Sequence, residues 1–90
     1  MNIKINKIIS KNKITKVSNG ANIFNKMISE YKKDNSIKKF ILDFEGIQQC
    51  TTFVFKEIIR QMQSRLNGNF GLELLNANPL IIQQFKFSLA

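Results

Sequence analysis

A single stretch, from Lys39 to Leu66, constrains the fold more than any other part of the chain. It opens with apolar residues at every second position, the period of a β-strand, at Phe40, Leu42 and Phe44. Gly46 then breaks the run, because glycine tolerates backbone angles that other residues avoid. Apolar residues next recur at helical spacing: Phe55, Ile58, Ile59, Met62 and Leu66. The stretch predicts a central strand over 38–44, a turn, and the main helix over 51–67.

The segment before this stretch predicts a hairpin and a helix. Isoleucines alternate with polar residues near the N-terminus, which indicates a strand near 2–9, and 14–17 is typical of a second, short strand. Ser18 or Asn19 would cap the helix that follows. Its apolar stripe comprises Ile23, Phe24, Met27, Ile28 and Tyr31.

The segment after the main helix predicts one more strand and a closing helix. Gly68 suits a left-handed helix cap, and alternation over 70–75 indicates a strand. Pro79 is at home in the first turn of a short closing helix, which is indicated by Leu80, Ile81, Gln84, Phe85 and Ser88. The predicted fold is one α/β domain, 1–90, with a mixed four- to five-stranded sheet. Its order, an N-terminal hairpin and then β-α-β-α-β-α, predicts helices mainly on one face.

Composition narrows the class of protein. Ninety residues suffice for one modest core, and eight phenylalanines indicate a folded globule. No apolar run approaches the roughly 20 residues of a membrane-spanning helix, and the N-terminus lacks the pattern of a signal peptide. The single cysteine, Cys50, cannot form an internal disulfide. We therefore expect a cytoplasmic protein that does not bind membranes.

The residue inventory argues against an enzyme. The chain has no histidine, its one cysteine cannot build a zinc site, and its four glycines are isolated. Asp43 and Glu73 could face the same way on neighbouring strands, but two hydrated acids are a better interpretation than a catalytic pair. We expect no catalytic residue, no metal and no cofactor.

The net charge of +8 suggests anionic partners but does not require them. Nucleic-acid surfaces usually carry arginine and exposed aromatic residues. Here the excess is nearly all lysine, since Arg60 and Arg65 are the only arginines. Charge therefore points first to solubility, and nucleic-acid binding is the third hypothesis for function.

Thr51 and Thr52 form the most function-like feature, a hydroxyl pair at the start of the main helix. Orphan N–H groups and the helix dipole favour negative charge there, so either residue could accept a phosphate or hold an anion. Plain capping of the helix is the competing interpretation. Cys50, just before them, is either a stabilised thiolate or a buried small apolar residue.

The segment ILDFEGIQQCTTFVFKEII resembles the central block of STAS-like domains, the family of sulfate transporters and anti-sigma-factor antagonists. It is most similar to small bacterial and phage STAS-like proteins, which carry a comparable LDF-x-G strand followed by a Thr/Ser-Phe helix start. The element order and the late strand GLELLN also fit, and the resemblance covers residues 18–78.

The resemblance implies a regulatory protein that switches partners with an ATPase-like kinase or anti-sigma factor. The matching turn of the antagonists reads Asp-Ser-Ser/Thr-Gly, against Thr51-Thr52-Phe53-Val54 here, so only Thr52, and less securely Thr51, can inherit a phosphoacceptor role. The turn over 48–55 would meet the partner through Gln48, Gln49, Cys50 and Phe53. The alternative is a small-ligand or nucleotide sensor at Thr51–Thr52. Homodimerisation stays open.

Overall fold

The computed structural model of the chain describes residues 2–66 and 70–90. Within these residues the chain forms five β-strands and three α-helices. The strands are β1 Asn2–Lys4, β2 Lys13–Ile14, β3 Lys39–Asp43, β4 Gln49–Cys50 and β5 Gly71–Leu75. The helices are α1 Val17–Lys33, α2 Thr52–Arg65 and α3 Pro79–Ser88. The α/β class predicted from the alternating elements is confirmed.

The main sheet is parallel and has the order β1-β3-β5. Its order in space follows the order along the chain, so both crossovers run the same way and leave their helices on one face. α1 contacts α2, and α2 contacts α3. The apolar side chains of the strands point under these helices, with Phe40, Leu42 and Phe44 fully buried.

The predicted N-terminal hairpin is wrong. β1 pairs with β3 and β2 pairs with β4, both in parallel, so the chain has a three-stranded and a two-stranded sheet and no antiparallel pair among the described strands. β1 covers only the first three residues of the strand predicted near 2–9, and a short 3₁₀ helix, Ile5–Lys7, follows it. Ile5 and Ile14 are both fully buried beneath the helices. Long-range pairing of such short strands leaves no local pattern, which explains the error.

α1 begins earlier than its polar residues suggest. It starts at Val17, with Lys16 as N-cap and no side chain capping it, so the predicted Ser18 or Asn19 cap is wrong. Gly20 lies inside the helix and is buried against α2. A Cβ at this position would lie 2.7 Å from the carbonyl oxygen of Val54. Close helix packing, rather than a turn, explains this glycine.

The main helix and its flanks follow the prediction with one exception. Gly46 has a φ of +80°, the left-handed conformation of the predicted turn. In α2, Phe55, Ile58 and Met62 are buried, but Ile59 is only half-buried, and Val54 completes the core contact instead. The predicted end of the helix at Asn67 and the Gly68 cap lie outside the described residues.

The core is rich in phenylalanine. The ring centroids of Phe44 and Phe55 lie 5.7 Å apart, and those of Phe55 and Phe85 lie 5.2 Å apart. A row of contacting rings therefore joins the residue after β3 to α2 and α3.

Over residues 2–66 and 70–90, no helix combines the length and apolarity needed to cross a membrane.

Candidate functional site

The predicted recognition turn is held by the N-terminal segment. Asn12 O accepts hydrogen bonds from Gln48 N at 2.7 Å and from Gln49 N at 3.2 Å, and Ile14 O accepts one from Thr51 N at 3.0 Å. β4 therefore pairs with β2 immediately before α2 begins. These three backbone hydrogen bonds hold the turn in place, so its outward side chains lie on a rigid backbone.

The outward side chains are Gln48, Gln49 and Phe53, which we call the 48–53 surface. Gln48 is exposed and Gln49 is half-buried. Phe53, in the first turn of α2, is 67% exposed, the most exposed of the large apolar side chains in the described chain. An aromatic ring left in water on a rigid element is a typical anchor for a partner.

Cys50, predicted to be a partner contact, does not reach this surface in the folded chain. Its side chain is fully buried, because alternation along β4 turns Gln49 outward and Cys50 inward. Burial raises the pKa of the Cys50 thiol to about 12. The thiol therefore stays protonated near neutral pH and packs as a small apolar group.

Thr52 is joined to α3. Its hydroxyl donates to Gln84 Oε1 at 2.6 Å, and its backbone N–H donates to the same oxygen at 3.2 Å. A neutral amide oxygen from another helix thus occupies the N-terminus of α2, where an anion was predicted. An anion or a phosphate at Thr52 would have to displace Gln84.

Thr51 stands at the N-cap position of α2, but its side chain makes no capping hydrogen bond. Its backbone oxygen instead accepts from Val54 N at 3.1 Å. The Thr51 hydroxyl oxygen is buried and has no hydrogen-bond partner among the described residues. Capping by the Thr51 side chain, one of the two sequence interpretations, is therefore wrong.

Two residues that support the site were not predicted. Asn78 caps α3 by accepting from Ile81 N at 2.9 Å, and its Nδ2 donates to Gln48 O at 2.9 Å. Gln84 holds Thr52 as described above. The position of Asn78 before Pro79 was a recognisable cap signal. No sequence pattern connects Gln84 with Thr52, because they lie 32 residues apart.

Asp43 and Glu73 do not form a carboxylate pair. In the parallel register Glu73 lies beside Ile41, and Asp43 lies beside Leu75. Glu73 is exposed and its carboxylate lies 2.8 Å from Lys39 Nζ, whereas Asp43 is buried. Asp43 Oδ1 accepts from Asn76 Nδ2 and from Glu45 N, each at 3.0 Å, and these bonds hold the pKa of the carboxyl below its usual range.

Within residues 2–66 and 70–90, histidine, cysteine and acidic side chains form no group of three that could bind a metal ion. Comparison with protein-family models, with curated proteins and with solved structures finds no match to this chain. The geometry of the site is therefore the basis for a functional proposal.

Proposed function

We propose that this chain is a non-catalytic regulatory module that binds another protein through the 48–53 surface. The single observation that carries the proposal is Phe53, 67% exposed on the first turn of a packed helix. An exposed phenylalanine lacks the roughly 1.5–3 kcal/mol of free energy that burial of its side chain would contribute. A partner that covers the ring would recover this free energy. Gln48 and Gln49 supply hydrogen-bonding groups around it.

The partner class follows from the resemblance to STAS-like domains. An ATPase-like kinase or anti-sigma factor is the partner that such domains exchange, and residues 41–59, which form strand, turn and helix start, carry the resemblance. Parallel β-α-β units with helices on one face are compatible with that family. A protein with this proposed function would act in the cytoplasm.

Thr52 is the residue through which binding would be switched. A phosphate there would replace the hydroxyl proton now donated to Gln84 Oε1 and would add about −2 of charge beside Phe53. It would thus alter the binding surface and break a contact between α2 and α3. Thr52→Glu is expected to weaken partner binding for the same two reasons.

The sensor alternative has less support than the protein-binding module. A nucleotide or small anion at the start of α2 would meet Gln84 Oε1, which already accepts from Thr52 N. Displacing this oxygen costs the internal hydrogen bonds before any affinity is gained.

A photocrosslinking pair tests the proposed function. Benzoylphenylalanine is placed at position 53, or at position 87, where the native Phe87 is 53% exposed on α3. Cells producing either variant are irradiated, and the adducts are identified by mass spectrometry. We expect a kinase-type ATPase to be captured from position 53 and not from position 87. Equal capture from both positions, or none from position 53, would contradict the proposal.

A further inference from the structure

The lysines of residues 11–16 form a positive rim beside the 48–53 surface, because the backbone of Asn12 and Ile14 is bonded to that turn. All three are exposed: Lys11, Lys13 and Lys16. Lys4 and Lys7 lie elsewhere, in a groove that Lys26 and Glu30 also line. β2 places Lys13 next to the 48–53 surface, because Lys13 pairs with Gln49 in the two-stranded sheet. The ion pairs of the described chain involve Lys26, Lys33, Lys39 and Arg60, and none of the rim lysines. The charge of the rim is therefore available to a partner.

Acidic residues do little to neutralise this rim. The chain has no acid before Glu30, and Glu30 pairs with Lys26 at 3.0 Å. Glu57 and Glu73 are likewise in ion pairs, with Arg60 and Lys39. At the C-terminal edge of the main sheet, which leads into the 48–53 surface, Asp43 is buried and bound to Asn76. The exposed acid at this edge is Glu45, whose backbone oxygen accepts from Asn6 Nδ2 at 3.2 Å.

An apolar centre lies against the rim. α1 and α2 begin side by side, since Thr51 N donates to Ile14 O and Gly20 lies against the Val54 carbonyl. Val17, the first residue of α1, is 50% exposed and lies at the same end of the molecule as Phe53. The 48–53 surface is thus flanked by Val17 and by rim lysines that form no ion pair within the described chain.

We infer that the segment recognised by the 48–53 surface is an acidic peptide with interspersed apolar side chains. This inference rests on the proposed function and names the chemistry of its partner. Lysine ammonium groups attract carboxylates and raise the rate of encounter, while Phe53 and Val17 receive apolar side chains. Nucleic acid fits less well, because the rim has no arginine for bidentate contacts to bases or phosphates and Phe53 alone offers a stacking surface.

The test measures fluorescence anisotropy of the full chain with three probes. They are a short labelled peptide of alternating glutamate and leucine, the same peptide with glutamine for glutamate, and a single-stranded oligothymidylate. We expect the acidic peptide to bind most tightly, with affinity that falls as salt rises. Lys13→Gln combined with Lys16→Gln should weaken it roughly five- to tenfold. The matched control, Lys32→Gln with Lys33→Gln at the far end of α1, should leave it unchanged.

Two further variants separate this inference from the proposed function. Glu45→Gln removes a negative charge at the same edge and should strengthen binding, and Phe53→Ala should weaken it. If Phe53→Ala weakens binding of both peptides alike and the lysine variants change nothing, the protein-binding surface stands and the acidic partner is refuted. Tighter binding of oligothymidylate than of the acidic peptide would also refute it, in favour of nucleic acid. Lysine dependence without any effect of Phe53→Ala would put the peptide elsewhere and overturn the inference.

Discussion

Gln84 Oε1 accepts hydrogen bonds from both the hydroxyl and the backbone N–H of Thr52, at 2.6 and 3.2 Å. One side chain of α3 therefore does what a capping residue would do for α2, and it also ties the two helices together. Gln84 Oε1 therefore occupies the position at the start of α2 where an anion would otherwise bind. Any event that changes Thr52 also changes the attachment of α3.

A double-mutant cycle measures the strength of the contact between Thr52 and Gln84. Thr52→Ala and Gln84→Ala should each lower the free energy of unfolding by about 1 kcal/mol, the net value of a typical hydrogen bond. The double variant should lose less than the sum, because both changes remove the same contact. Urea denaturation of the four proteins gives the coupling energy. Strict additivity would show that the hydroxyl and the amide do not interact in solution.

Gly20→Ala is expected to destabilise the protein, against the usual preference of helices for alanine. In an exposed helix this change stabilises by about 1 kcal/mol. Here the new Cβ would meet Val54 O at 2.7 Å and Glu57 Cβ at 3.1 Å, so α1 and α2 must separate, at a cost of roughly 1–3 kcal/mol. Asn22→Ala, at an exposed position of the same helix, is the control and should be neutral or stabilising. A thermal midpoint raised by Gly20→Ala would contradict the close approach.

The elements predicted correctly are those whose cause is local. The alternation of Phe40, Leu42 and Phe44 and the turn at Gly46 could be read directly from neighbouring residues. The start of α1 was missed because helix packing around Gly20 overrides the turn propensity of Ser18 and Asn19. β2 and β4 have two residues each, too few for any period to show.

The candidate site was predictable only in part for the same reason. Phe53 follows a hydroxyl pair at a helix start, and a local pattern identified that position. The inward orientation of Cys50 depends on the pairing of β4 with β2, and the bond from Thr52 to Gln84 depends on how α3 docks. Neither relationship has a signature in the residues around it. Tertiary contacts therefore decided which side chains of the turn reach the surface.

Ile58 and Ile59 are adjacent in sequence but should differ in their contribution to stability. Ile58 is fully buried, so Ile58→Ala should lower the free energy of unfolding by about 2–5 kcal/mol. Ile59 lines an open groove of about 300 Å³ between α2, α3 and β5, where water or neighbouring side chains can fill the space left by truncation. Ile59→Ala should therefore cost clearly less. Chemical denaturation compares the two variants, and an equal loss would place Ile59 in the core after all.

Asp43 should make stability depend on acid pH. Its pKa is lowered in the folded protein, first by the Asn76 hydrogen bond and then by the Glu45 N–H. The stabilisation is therefore present above the unfolded pKa of about 3.9 and is lost as pH falls through the lower folded pKa. Asp43→Asn keeps an acceptor oxygen for Asn76 but cannot titrate. Its thermal midpoint should fall less than that of wild type between about pH 5 and pH 2. Asp34→Asn, at an exposed turn, provides the comparison for a titrating group outside the core.

Cys50 should react with thiol reagents only when the protein opens. The fully buried side chain is shielded from solvent, and its pKa of about 12 leaves almost no thiolate at pH 8. Labelling of native protein by a disulfide reagent should therefore be slow and should accelerate with urea as opening becomes more frequent. Ser64→Cys in a Cys50→Ala background, with the new thiol at an exposed position of α2, should label at the rate of a free thiol. Rapid labelling of native wild type at pH 8 would show instead that β4 leaves its pairing with β2 readily and that the 48–53 surface is not held rigidly.

The raised pKa of Cys50 should also make stability depend on alkaline pH. Above about pH 8.5 the unfolded chain loses the thiol proton while the folded chain keeps it, so the free energy of unfolding should fall as pH rises. Cys50→Ala should remove this part of the alkaline dependence, which denaturation at several pH values measures.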